Sequence, residues 1–72
     1  MSLIEKVRKA VLSEGLPPIF SAIDIDNIGI KDPNNNISNY DKKNKGSTNV
    51  KVLVSRKIDS KIYYSFDEML FK

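Results

Sequence analysis

The sequence predicts one α+β domain over residues 1–72, a three-helix core followed by a C-terminal two-stranded β-hairpin. Three observations predict it. Apolar residues recur at helical spacing near the start of the chain. Glycine and proline interrupt the pattern at Gly15–Pro18, at Gly29 and at Pro33. Beyond residue 48 the hydrophobic period changes to two.

The first helix is expected over residues 2–14. Ser2 stands three residues before Glu5, the spacing at which a cap hydroxyl and a glutamate satisfy each other's free backbone N–H groups. Leu3, Ile4, Val7, Ala10 and Val11 make one apolar stripe, and Glu5 precedes Lys9 by four residues in the favourable order. Gly15 suits the left-handed position past the helix end, Leu16 can fold back as its apolar partner, and Pro17-Pro18 forbid continuation.

Ile19-Phe20 is long enough only for a stub of strand. Ser21 with Asp24 three residues on then opens a short second helix, about 22–28, with Ala22, Ile25 and Ile28 on one face and Gly29 as its stop. Ile30 is expected to drop into the core.

Asp32-Pro33 suits the start of a third helix over residues 33–43, with aspartate as the N-cap and proline in the first turn. Its only apolar members are Ile37 and Tyr40, three apart, so such a helix would offer polar faces to the outside. Asparagine favours turns, and a solvated loop is the alternative.

After Gly46-Ser47-Thr48, residues Val50, Val52, Val54 and Ile58 alternate with Lys51, Leu53, Ser55 and Lys57, and Arg56 interrupts the apolar face. The run 62–66 places Ile62, Tyr64 and Phe66 on one side. A two-residue turn, Asp59-Ser60, would set Val54 opposite Ser65 and Ile58 opposite Lys61. A three-residue turn that includes Lys61 sets Ile58 opposite Ile62 and Val54 opposite Phe66. Burial favours the second, which is the expected register. Residues 67–72 can form a helical turn that either caps the core or offers a small apolar contact surface.

A chain of 72 residues buries only about 60% of the surface its unfolded form exposes, so its core is thin. It contains no cysteine and no histidine, which excludes disulfides, zinc fingers and cysteine nucleophiles. The charged N-terminal segment is unlike a signal peptide and no apolar run reaches bilayer length, so a soluble, cytoplasmic protein is expected. Net charge is +3, distributed unevenly: residues 1–30 carry three bases and four acids, residues 31–72 nine bases and five acids. Between Lys42 and Lys61 lie seven bases and one acid, Asp59. Such a segment points to a polyanionic partner, or simply keeps a small protein soluble.

The order of elements resembles that of the winged helix-turn-helix superfamily over residues 2–66. Phe20-Ser21-Ala22-Ile23-Asp24-Ile25 resembles the opening of the second helix in such domains. Asn36-Ile37-Ser38-Asn39-Tyr40 resembles the helix that alternates a buried aliphatic with residues offered to DNA, and Lys57–Tyr64 resembles a wing. The position near Asn44, often leucine in that helix, is polar here. The resemblance implies a small DNA-binding transcriptional regulator or accessory factor, with the third helix in the major groove and the wing on the backbone. Carried onto this chain, it makes Asn34, Asn35, Ser38, Asn39 and Lys42 candidates for base edges. Lys43, Lys45, Arg56, Lys57 and Lys61 become candidates for phosphates, and Tyr63 a further, outward-facing one. All of this hangs on residues 33–43 forming an amphiphilic helix anchored by Ile37 and Tyr40.

No metal site or cofactor is expected. Asp24–Gly29 begins like a calcium loop, but its fifth and twelfth positions are Ile28 and Asn35. Without histidine, cysteine or a Gly-rich phosphate loop, no enzyme is expected either. The competing function is a protein-binding module on the same fold, a phage- or plasmid-type modulator of a host nucleic-acid enzyme. Met69, Leu70 and Phe71 would supply its contact with a partner or with a second copy.

Overall fold

Ser2 caps the first helix, α1 (Leu3–Leu12), in the computed structural model of the protein, which describes residues 2–46 and 49–71. The Ser2 hydroxyl accepts the Glu5 amide at 3.3 Å. Val7 is fully buried, with Leu3, Ile4, Ala10 and Val11 packed beside it on the core. The helix ends two residues before its expected limit, and Glu14, not Gly15, takes the left-handed conformation (φ +66°). The Glu14 amide donates to Val11 and the Gly15 amide to Ala10, the paired bonds of a Schellman cap. The stripe stops at Val11, since Leu12 already faces solvent, so the cap comes one residue early.

The stub of strand is real. β1 (Phe20–Ser21) leads directly into α2 (Ala22–Asn27), whose N-terminus is closed by a reciprocal box: the Ser21 amide donates to Asp24, and the Asp24 amide to the Ser21 hydroxyl. Gly29, at φ +86°, forms the C-terminal cap, and Ile30 packs against the core as expected.

The third helix over residues 33–43 is absent. Asp32-Pro33-Asn34-Asn35 closes a β-turn, with the Asn35 amide on the Asp32 carbonyl at 3.1 Å. Asn35 is left-handed (φ +52°), which asparagine tolerates and a helix cannot contain. Asp32 does act as a cap, but on a five-residue 3₁₀ turn, Asn36–Tyr40: its carboxylate accepts the amides of Asn36 (2.7 Å) and Ile37 (2.8 Å). Beyond Tyr40 the chain is pulled into an extended bridge. Val52 and Leu53 both donate to the Tyr40 carbonyl, and Lys42 donates to Leu53, making a parallel Asp41–Leu53 pairing. The fold is therefore two α-helices with a three-stranded antiparallel sheet, not a three-helix core.

The sheet order is β1-β3-β2, with β2 at Val54–Ile58 and β3 at Lys61–Ser65. Phe20 pairs with Tyr64 and Ser21 with Tyr63. The hairpin adopts the register with Val54 opposite Ser65 and Ile58 opposite Lys61, which overturns the expected three-residue turn. Asp59 and Ser60 both have positive φ (+50° and +70°), the signature of the primed turn whose twist matches the flanking strands. Val54–Ser65 is no mismatch, because Ser65 is itself buried. The alternation read across residues 50–54 also fails: Leu53 is fully buried and Val50 is 72% exposed, since this stretch precedes the strand and is held by Tyr40. The expected turn at Ser47-Thr48 lies outside the described residues.

Opposed residues share a face of an antiparallel sheet, so Arg56, Tyr63 and Ser65 lie on the side away from Tyr64. A final 3₁₀ turn, Glu68–Phe71, packs there. The Arg56 guanidinium sits 5.7 Å from the Phe71 ring centre, and Phe71 is buried. The core consists of Val7, Leu16, Phe20, Ile25, Ile37, Leu53 and Tyr64.

Candidate nucleic-acid interface

Loss of the third helix redistributes the expected base-reading residues. Asn34 and Asn35 are exposed in the turn that precedes the 3₁₀ segment. Ser38 and Asn39 are half-buried and already engaged. The Ser38 hydroxyl donates to the Asn35 carbonyl at 3.0 Å, and the Asn39 side-chain oxygen accepts from Asn44 at 3.4 Å. Asn44 also donates to the Ser38 carbonyl, and the Lys51 ammonium to the Asn39 carbonyl at 2.7 Å. These contacts tie Ser38 and Asn39 to Asn44 and Lys51. They do not present four polar side chains along one rod.

The expected phosphate-binding residues fare differently. Lys42, Lys43, Lys45, Arg56, Lys57 and Lys61 are all exposed, and two separate stretches of sequence are brought side by side. The clamp is built around Asp41. Its buried carboxylate accepts the Ser55 hydroxyl and, at 3.0 Å, the Lys43 amide, and the Lys43 ammonium reaches the Ser55 carbonyl at 2.8 Å. Lys43 thus lies on the border of β2, the outer strand, beside Arg56 and Lys57, with Lys61 across the turn. Lys42 leans on Glu68 at 4.0 Å, an exposed ion pair worth under about 1 kcal/mol. Arg56 sits over the Phe71 ring, which draws the guanidinium toward that face and leaves its charge at the surface.

Of the apolar tail, Phe71 turns into the protein's own body, while Met69 and Leu70 remain exposed. Sequence reasoning missed a different apolar feature. A cleft of about 290 Å³ lies between the start of α2 and the hairpin, lined by Ala22, Ile23, Ile62 and Tyr64 among others. Part of its signal was present in the sequence, since Ile23 falls off the Ala22–Ile25–Ile28 stripe; the exposure of Ile62 follows only from the observed register, which sets it opposite Lys57. The Asp24 carboxylate of the calcium-like pattern is occupied by the Ser21 amide at 2.9 Å. Among the described residues no helix is long and apolar enough to cross a membrane. Compared with known proteins, the chain matches no family model, no curated protein and no solved structure.

Proposed function

We propose that the protein binds duplex DNA through its phosphate backbone, using the border of β2 and the hairpin turn as a basic strip, without a base-reading helix. The observation that carries this reading is the Asp41–Ser55–Lys43 clamp, which adds the lysines of residues 42–45 to the bases of the hairpin. Chain segments separated in sequence thereby meet along the outer edge of β2, where Arg56 and Lys57 stand on its two faces and Asp59 is the sole acid between Lys42 and Lys61. Phosphate contacts from such a strip supply affinity by releasing counterions and carry no sequence information.

The test is titration with random-sequence duplex at two salt concentrations. Contacts from Lys43, Lys45, Arg56, Lys57 and Lys61 predict a slope of log K against log salt near −4.5, at about −0.9 per contact. Lys57→Ala should flatten that slope by about one contact and weaken all sequences alike, whereas Asn39→Ala should leave the preference among sequences unchanged. Absence of binding at about 100 μM in low salt overturns the proposal. A protein-docking role is the second reading. It is favoured by the exposed Met69 and Leu70, and it predicts that same absence of binding.

A further inference from the structure

Tyr63 stands on β3, the central strand, yet it belongs neither to the core nor to the apolar residues packed against it, among which are Tyr40 and Phe66. It lies on the face away from Tyr64, opposite Arg56 of β2 and Ser21 of β1, and is half-buried. Among the described residues no ring stacks on it and no cation sits over it, since the Arg56 guanidinium is over Phe71 and that of Arg8 over Phe66. Ser21 is too small to cover a phenol ring, and its hydroxyl is taken by the Asp24 amide. Lys61, two residues earlier on β3, shares this face and is exposed, with Ile58 opposite it and 40% exposed. Neither strand of the hairpin contains an acid. The acids of the final turn are engaged, Asp67 by the Met69 amide and Glu68 by Lys42.

We infer that Tyr63 is a stacking platform for an unpaired base, so that the preferred ligand is duplex DNA with an adjoining single-stranded stretch. The inference rests on the hold of the basic strip on phosphates and adds the form of the DNA. In a paired duplex each base has both faces covered by its neighbours, and a ring set in a sheet reaches only backbone or groove edge. An unpaired base offers a free π-face, and every base has one, so such stacking tolerates any sequence. That tolerance suits a protein without a base-reading helix. The charges complement such a strand: Arg56 lies one strand spacing, about 4.8 Å, to one side of Tyr63, and Lys61 lies along β3 on the same face. A backbone held at the border of β2 therefore carries its unpaired bases over β3, where Tyr63 is the aromatic residue and Ile58 an apolar border.

The experiment compares three ligands: a blunt duplex, the same duplex with a single-stranded extension of about six nucleotides, and that extension made abasic, which keeps its phosphates and removes its bases. The wild-type chain should bind the base-bearing extension about 5- to 100-fold more tightly than the abasic one. Tyr63→Val, which keeps a good strand former and removes the ring, should abolish that preference, whereas Lys57→Ala should weaken all three ligands alike. The chain has three tyrosines and no tryptophan, so tyrosine emission reports the contact directly. The base-bearing extension should quench it more than the abasic one does. Tyr63→Phe should keep the preference in affinity and lose that extra quenching, which separates stacking from any loss of folding in the valine variant. Equal affinity of the wild type for the base-bearing and abasic extensions overturns the inference and leaves duplex binding standing. A preference that survives in Tyr63→Val, or extra quenching that survives in Tyr63→Phe, overturns it too. Failure to bind any of the three ligands overturns both readings.

Discussion

The carboxylate of Asp41 accepts the hydroxyl hydrogen of Ser55 across fourteen residues of chain, and this contact decides where the basic loop lies. Asp41 is buried, and its other oxygen accepts the Lys43 amide. Removing the hydroxyl with Ser55→Ala strips a buried carboxylate oxygen of its donor and should cost about 1–3 kcal/mol in urea unfolding. Removing both partners should cost less than the sum of the single losses, since no charge is then left stranded. Strict additivity in that cycle would show that the two groups do not interact.

The two helix ends give predictions of opposite sign. At Gly29 an added Cβ would meet no atom within 4 Å, so Gly29→Ala costs only the left-handed backbone (φ +86°), about 1–2 kcal/mol. Glu14 already bears that strain at φ +66°, and Glu14→Gly should recover up to about 1 kcal/mol. In a domain of this size each kcal/mol appears as a shift of about 4–8 °C in Tm. A lowered Tm for Glu14→Gly would mean that the side chain contributes more than the strain it imposes.

Why some of this was legible in the sequence and some was not follows from range. Helix starts at Ser2 and Ser21 and the stop at Gly29 are decided by groups three to five residues apart, and all three were readable. Residues 33–43 were decided elsewhere. Once Tyr40 accepts from Val52 and Leu53, the segment beyond it must be extended, and no local pattern announces that bond. The stub of strand at Ile19-Phe20 was readable, but its place in the sheet was hidden for the same reason, because two residues of β1 find their partners only in Tyr63 and Tyr64. The basic charge was visible throughout, but the Asp41–Ser55 contact that gathers it onto one border was not. The hairpin register turns on a subtler point: apolar pairing favours the three-residue turn, and the left-handed conformations taken by Asp59 and Ser60 outweigh it.

That turn supplies the third prediction. Asp59 and Ser60 occupy left-handed conformations that asparagine and glycine hold at lower cost. The double change Asp59→Asn, Ser60→Gly should stabilise the protein by about 1 kcal/mol, read as a rise in Tm, and should leave the Arg56–Tyr63 pairing in place. Cross-strand contacts between Ile58 and Ile62 in the nuclear Overhauser spectrum, in place of Ile58 with Lys61, would restore the three-residue turn and reject the observed register.

Tyr64 makes the fold sensitive to alkali. Burial pushes its hydroxyl above the ordinary 10.0, and the negative charges of Asp41 and Asp32 add to the effect. The folded state then holds this proton more tightly than the unfolded chain does. Below pH 10 both states keep it and its contribution to stability is complete. As pH climbs beyond 10 the unfolded state releases it first, and stability declines until the folded-state value is passed. The decline from this one group is limited to about 1.4 kcal/mol per pH unit. Tyr64→Phe removes the titrating hydroxyl, so unfolding free energies at pH 8 and pH 11 should differ less in that variant than in the wild type, with Tyr63→Phe as the half-buried control. An equal alkaline loss in the Tyr64→Phe variant and the wild type would place the sensitivity on other groups.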